Sequence, residues 1–95
     1  MLTPKNKALL KKLAHPLSPS FTIGKGEIDA PLIAVADKAL TAHELIKVKV
    51  LVNQKDELDL LAGKLSQETK SEVVEIIGRI LILYRPRAKN PTIIL

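Results

Sequence analysis

Gly24-Lys25-Gly26-Glu27 is the stretch of this sequence best suited to hold an anion. Glycines let backbone N–H groups come close to a phosphate, and a helix starting soon afterwards adds partial positive charge from its N-terminus. Lys25 would place a mobile ammonium at the tip of such a turn. The GxxxxGK[ST] spacing of a nucleotide P-loop is absent. A plain tight turn is the competing reading of the same residues.

Further cations extend that chemistry. Lys47 and Lys49 alternate with Ile46, Val48 and Val50, so as a strand they project from one face. Arg79 follows Gly78 at the tip of a predicted hairpin, and Arg85 follows the next apolar run. Lys5 and Lys12 lie seven apart, about two helical turns, and so share a helix face. Phosphate contact is one reading of this set. Solubilising charge, with lysine guarding an exposed strand, is the other. The glycine loop follows the same logic as the GXXG loop with which KH domains clamp an RNA backbone.

Other chemistries find little support. His15 precedes a proline and His43 closes a predicted helix, and no HxxxH or HxH spacing offers a metal site. Cysteine is absent, which excludes disulfides, cysteine–zinc sites and thiol catalysis. No nucleophile elbow is present. Asp56, Glu57 and Asp59 read as a solvated face that favours the start of a helix. Neither an enzyme nor a cofactor is expected.

Charge and composition narrow the partner. The 95 residues carry 15 Lys+Arg against 10 Asp+Glu, a net +5 with a pI near 9.6. The charge is segregated: residues 1–26, 46–55 and 79–95 hold twelve bases and no acid, and all ten acids lie between those blocks. Such blocks suit one basic surface offered to a polyanion. Aromatics are only Phe21 and Tyr84, too few for a base-stacking platform, so the core must be aliphatic. Apolar runs are too short to span a bilayer, and the N-terminal helix keeps a charge every few residues, unlike a signal peptide. A cytoplasmic, monomeric protein is the expectation.

Elements that would position these residues are legible. Thr3-Pro4 opens a first helix that His15-Pro16 closes. Phe21-Thr22-Ile23 is a short strand, and Asp29 caps a second helix over 30–42. Glu44 to Val52 reads as a half-buried strand with a cationic outer face, and Asn53 to Lys55 as a break. Asp56 begins a third helix, with Gly63 as a weak point inside it. Glu72–Ile77 and Ile80–Tyr84 form a hairpin across Gly78-Arg79, glycine first as in a type II′ turn. The order α-β-α-β-α-β-β predicts one compact α/β domain over 1–95, two-layer or sandwich, with about four strands in a mixed sheet and three helices. Its core covers about 2–87, and 88–95 is a tail or an added edge strand.

Three separated stretches resemble one family. Ile23-Gly24-Lys25-Gly26, then Ala42 to Val50, then Ile77-Gly78-Arg79 with Leu83-Tyr84-Arg85-Pro86, resemble the CRM (chloroplast RNA splicing and ribosome maturation) domain in its short, YhbY-like bacterial form. The resemblance implies a fold similar to the C-terminal domain of translation initiation factor three. It also implies non-catalytic RNA binding and a role in assembly of the large ribosomal subunit. The RNA-binding set would be Gly24, Lys25, Gly26, Lys47, Lys49, Arg79 and Arg85, with Lys5 and Lys12 as accessories. A protein-interaction module docking on ribosomal proteins, with little RNA contact, is the alternative.

The family loop is usually Gly-Lys-Gly-Gly, and here Glu27 stands in the last position. A carboxylate ~6 Å from a phosphate at an effective dielectric of 20 is opposed by about 3 kcal/mol before screening. Either the loop is altered, or the basic sheet and helix carry more of the affinity.

Overall fold

The computed structural model describes residues 2–24, 28–52, 54–87, 91 and 93. Its elements are α1 (Pro4–Ala14), β1 (Phe21–Ile23), α2 (Ala30–His43), β2 (Leu45–Val50), α3 (Lys55–Thr69), β3 (Glu72–Ile77) and β4 (Ile80–Tyr84). The four strands form one sheet in the order β1-β2-β4-β3. β1 runs parallel to β2, and the other neighbours are antiparallel. The order and the mixed sheet are those expected from the sequence.

Local chemistry accounts for most boundaries. The Thr3 hydroxyl accepts the Asn6 N–H at 3.1 Å, and an Asp29 carboxylate oxygen accepts the Leu32 N–H at 2.9 Å, so both side chains satisfy orphan donors of a helix start. Lys70 closes α3 in the left-handed region, φ 55° and ψ 40°. Gly78 takes φ 57° while Arg79 does not share that region, as a type II′ connection requires, and Ile77 opposes Ile80 across the two-residue loop.

Some boundaries differ from the sequence reading: α2 runs to His43 rather than 42, and β2 ends at Val50 rather than Val52. α3 begins at Lys55, not Asp56, with Gln54 at its cap giving no side-chain bond. Glu44 is not the first residue of β2. It closes α2 with φ 63° and ψ −43°, its N–H donating to the Leu40 carbonyl at 2.8 Å. The alternation of Leu45 to Val50 extends formally to position 44, but positive φ there ends the strand.

Helices cover both faces of the sheet. On one face Ile23, Ile46, Val48, Val50, Leu81 and Leu83 pack under α2 and α3, which contribute Ala36, Leu40, Leu58, Leu61, Ala62 and Leu65. On the other face α1 buries Leu10 and Ala14 against Leu45, Val74, Ile82 and Tyr84, with Leu2 and Ile93 packed beside them. β4 therefore lies between the two layers, and Leu81 to Tyr84 are all buried, which explains its continuous apolar run. Of the predicted tail only Pro91 and Ile93 are among the described residues, and neither lies in a strand.

Gly63 is exposed within α3, its φ is not positive, and an added Cβ would meet nothing within 4 Å. The backbone freedom that glycine gives the unfolded chain is thus removable without a clash. Gly63→Ala is expected to stabilise the protein by about 0.5–1 kcal/mol. Thermal denaturation should show a rise of a few degrees.

Candidate functional site

The topology sends several connections to one end of the sheet. β1 is parallel to β2, with Ile23 beside Val50, so the chain leaves β1 at Gly24 where β2 is also ending. The Leu51 N–H donates to the Ile23 carbonyl at 3.0 Å, and the Val50 N–H donates to the Arg79 carbonyl at 2.8 Å. Gly24, the end of β2 and the Gly78-Arg79 turn are thereby held side by side. Gly24, Lys49 and Arg79 are exposed there. Lys25, Gly26 and Glu27 lie outside the described residues; Gly24, which precedes them, leaves β1 at this end.

α2 and α3 also begin at this end, because each carries the chain back along the strand that precedes it. Their starts add little net positive potential. Asp29 already caps α2, and Asp56 and Glu57 occupy the first turn of α3. The side-chain cations remain: Lys49, Arg79 and exposed Lys55. In the sequence Lys55 reads only as part of a basic block. Its position directly after a strand that ends beside the glycine loop was the available signal.

Lys47 and Lys49 share a face, as alternation demands, but their surroundings differ. The cross-strand partners are Ile82 for Lys47 and Ile80 for Lys49. α1 covers the first of these rows, so Lys47 is half-buried rather than on an open cationic face. Its ammonium donates to the His15 carbonyl at 3.0 Å, satisfying a C-terminal carbonyl of α1 and fastening that helix to β2. Lys49, one row further, is exposed.

Arg85 does not join Arg79. They bracket β4, and six residues of extended chain separate them by roughly 20 Å. The Arg85 guanidinium instead clamps the opposite end of the fold. It pairs with the Asp37 carboxylate and donates to the Thr69 carbonyl at 2.8 Å, the Asp37 carbonyl at 3.0 Å and the Thr41 hydroxyl at 2.8 Å. One planar fork thus ties β4 to α2 and to the end of α3. Arg87 works beside it, donating from Nε to the Thr41 carbonyl at 3.1 Å and from its backbone to the buried Glu44 carboxylate at 3.2 Å. The sequence suggests one surface for Arg79 and Arg85 because chain proximity hides the reach of an extended strand.

Lys5 and Lys12 are both exposed on α1. α1 begins near Glu72, whose carboxylate accepts the Leu2 N–H at 3.1 Å, and ends near Lys47. Lys5 is therefore far from the Gly24 end, and Lys12 is nearer to it. Between them Lys11 pairs with Glu75 at 3.0 Å. Hydrogen bonds from Lys11 and from the Ile76 N–H, with the lysine's charge, hold the Glu75 carboxyl below its ordinary value.

These features define a class before they define a family: a small three-layer α/β domain whose one sheet end gathers the Gly24 exit of β1, a hairpin tip and exposed cations. Among the described residues no helix is long and apolar enough to cross a membrane, and no cluster of three His, Cys, Asp or Glu could hold a metal.

Residues 2–85 match the sequence model of the CRS1 / YhbY (CRM) domain. The chain is 39% identical over 93 residues to "Probable RNA-binding protein YqeI" of Bacillus subtilis, covering 98% of this chain and 97% of that protein. It is 41% identical over 85 residues to a Haemophilus influenzae protein named RNA-binding protein, covering 90% and 86% of the two chains. The solution structure of the hypothetical protein SAV1595 from Staphylococcus aureus superposes with a TM-score of 0.87 at 45% identity, over 100% of this chain and 99% of that one. The chain belongs to the CRS1 / YhbY (CRM) domain family.

The clamped end of the sheet can be tested in two ways. Arg85→Met leaves the Thr69 carbonyl and Asp37 without their donor, and it should cost about 2 kcal/mol in denaturant unfolding, in the range for hydrogen bonds to a charged group. Tyr84 is the sole tyrosine, and burial followed by the nearby Glu44 charge pushes its phenol above the ordinary value of 10.0. Ultraviolet titration of the phenolate should give a midpoint above 10.0 in the folded protein and an ordinary one in urea. Because the folded value is raised, the neutral form is the one that the fold favours, and stability should fall as pH rises past the unfolded value.

Proposed function

We propose that this protein is a non-catalytic RNA-binding module that grips the RNA backbone with the Gly24 end of its sheet. The observation that carries the reading is the hydrogen-bonded adjacency of the β1 exit, the β2 end and the Gly78-Arg79 turn. That adjacency gathers cations from sequence blocks that lie far apart along the chain. Lys25, Lys49 and Arg79 are the side chains assigned to phosphate contact, with Gly24 and Gly26 offering backbone N–H groups, Lys55 as a further cation and Lys12 at the margin. Lys5 lies too far away to share this strand of contacts. Lys47 and Arg85 act through the fold: the first positions α1, the second locks β4 to the two helices.

With only Phe21 and Tyr84 as rings, and Tyr84 buried, recognition rests on backbone and shape rather than on stacked bases. The names of the Bacillus and Haemophilus relatives support RNA as the ligand. The family resemblance supports a finer reading, in which the RNA is that of an assembling large ribosomal subunit in a bacterial cytoplasm; we take the protein to act there as a monomer.

The triple variant Lys25→Gln, Lys49→Gln, Arg79→Gln should weaken RNA binding and flatten its dependence on salt. With three phosphates no longer neutralised, the slope of log K against log salt should shrink by about 2 to 3. Filter binding across a salt series reads both quantities, and circular dichroism reports the fold. Unchanged affinity in a folded variant would overturn the reading. Co-sedimentation with ribosomal particles that survives RNase would point instead to docking on ribosomal proteins.

A further inference from the structure

α1 does not reach the end of the face on which it lies. Its buried residues, Leu10 and Ala14, pack on Leu45, Val74, Ile82 and Tyr84. One row beyond these, the register aligns Thr22, Lys49, Ile80 and Ile77, one from each strand, all pointing to the α1 side. Thr22 and Lys49 are exposed, Ile80 is half-buried, and Ile77 is 55% exposed. Across four strands the row spans about 14 Å at the usual spacing.

An uncovered isoleucine on an otherwise well-packed sheet is the feature that needs an occupant. The charge around it selects one. Within the row the ionisable group is Lys49, and Arg79 stands at the adjoining turn. Glu75 is the acid of the next row, and it is neutralised by Lys11 at 3.0 Å. Lys49 and Arg79 favour an anionic occupant along this floor, and the isoleucines of β4 and β3 suit one that carries apolar faces as well as charge.

We propose that this row is a second RNA contact, continuous with the Gly24 end, and that it takes unpaired nucleotides. Lys49 and Arg79 hold phosphates, and the sugar and base faces lie on Ile77 and Ile80. In a continuous duplex the base faces are stacked away, so aliphatic contact of this kind is open only to unpaired strands. The inference rests on the RNA-binding reading and adds to it a preference for single-stranded segments, set by apolar contact.

The test compares Ile77→Ser with Leu60→Ser, using an oligouridylate and a blunt RNA duplex of equal length as probes. Leu60 is 75% exposed on α3, across the sheet, and serves as a control for general loss of apolar surface. Both side chains are exposed, so folding should be retained, and thermal melts confirm it. Ile77→Ser is expected to weaken oligouridylate binding about fivefold, with duplex binding and the salt slope unchanged because every phosphate-binding cation is kept. Leu60→Ser should change neither. Equal affinity of Ile77→Ser and the parent for oligouridylate overturns the proposal, and so does an equal loss in Leu60→Ser. If the parent binds neither probe, the RNA-binding reading itself fails. If only the Lys25, Lys49 and Arg79 variant is weakened, that reading stands and the apolar floor falls.

Discussion

β2 accepts β1 in parallel on one side and β4 antiparallel on the other, with Lys49 between Thr22 and Ile80. That register sets which side chains enter the α2–α3 core and which reach the α1 side. Because side chains alternate strictly, a slip by one residue would bury Lys47 and Lys49 under α2 and α3 and expose Ile46, Val48 and Val50. The cost of burying unpaired ammonium groups makes the slipped arrangement inaccessible. The same pairing joins the β1 exit to the β4 hairpin, so the candidate interface and the hydrophobic core depend on one set of backbone hydrogen bonds.

The two ends of the sheet do different work with the same residue types. At one end arginine and lysine are left exposed, beside a glycine turn. At the other, Arg85 commits its guanidinium to Asp37, Thr41 and Thr69, and Glu44 sits buried with positive φ against Tyr84 and the Arg87 backbone. A planar, permanently charged fork suits that second task because it satisfies several carbonyl and hydroxyl acceptors at once. Fixing α2 at its C-terminal half leaves its other end to be set by the Asp29 cap and by the packing of Ile28 and Leu32 on the core.

Relatedness and geometry support the same assignment from independent directions. The CRM family match covers residues 2–85, and the solved Staphylococcus structure shares the whole fold. Neither says which side chains touch a ligand. The contacts proposed above rest on the placement of Gly24, Lys49 and Arg79, and on the engagement of Lys47 in holding α1.

The sequence by itself determined the element order, the two side-chain helix caps, the hairpin at Gly78 and the alternation that separates Ile46, Val48 and Val50 from Lys47 and Lys49. Each of these is a local effect, decided by φ/ψ preference, capping or a two-residue period within a few positions of the residue concerned. Tertiary structure alone decided that Arg79 and Arg85 part company, that Lys47 is drawn to the end of α1, and that Glu44 turns a helix instead of starting a strand. It also decided that α1 stops one row short, leaving Ile77 exposed in the row that Lys49 shares. Those outcomes depend on which distant segments meet. A charge pattern along a chain says that cations are available, whereas only the packing of strands and helices says which of them are already engaged.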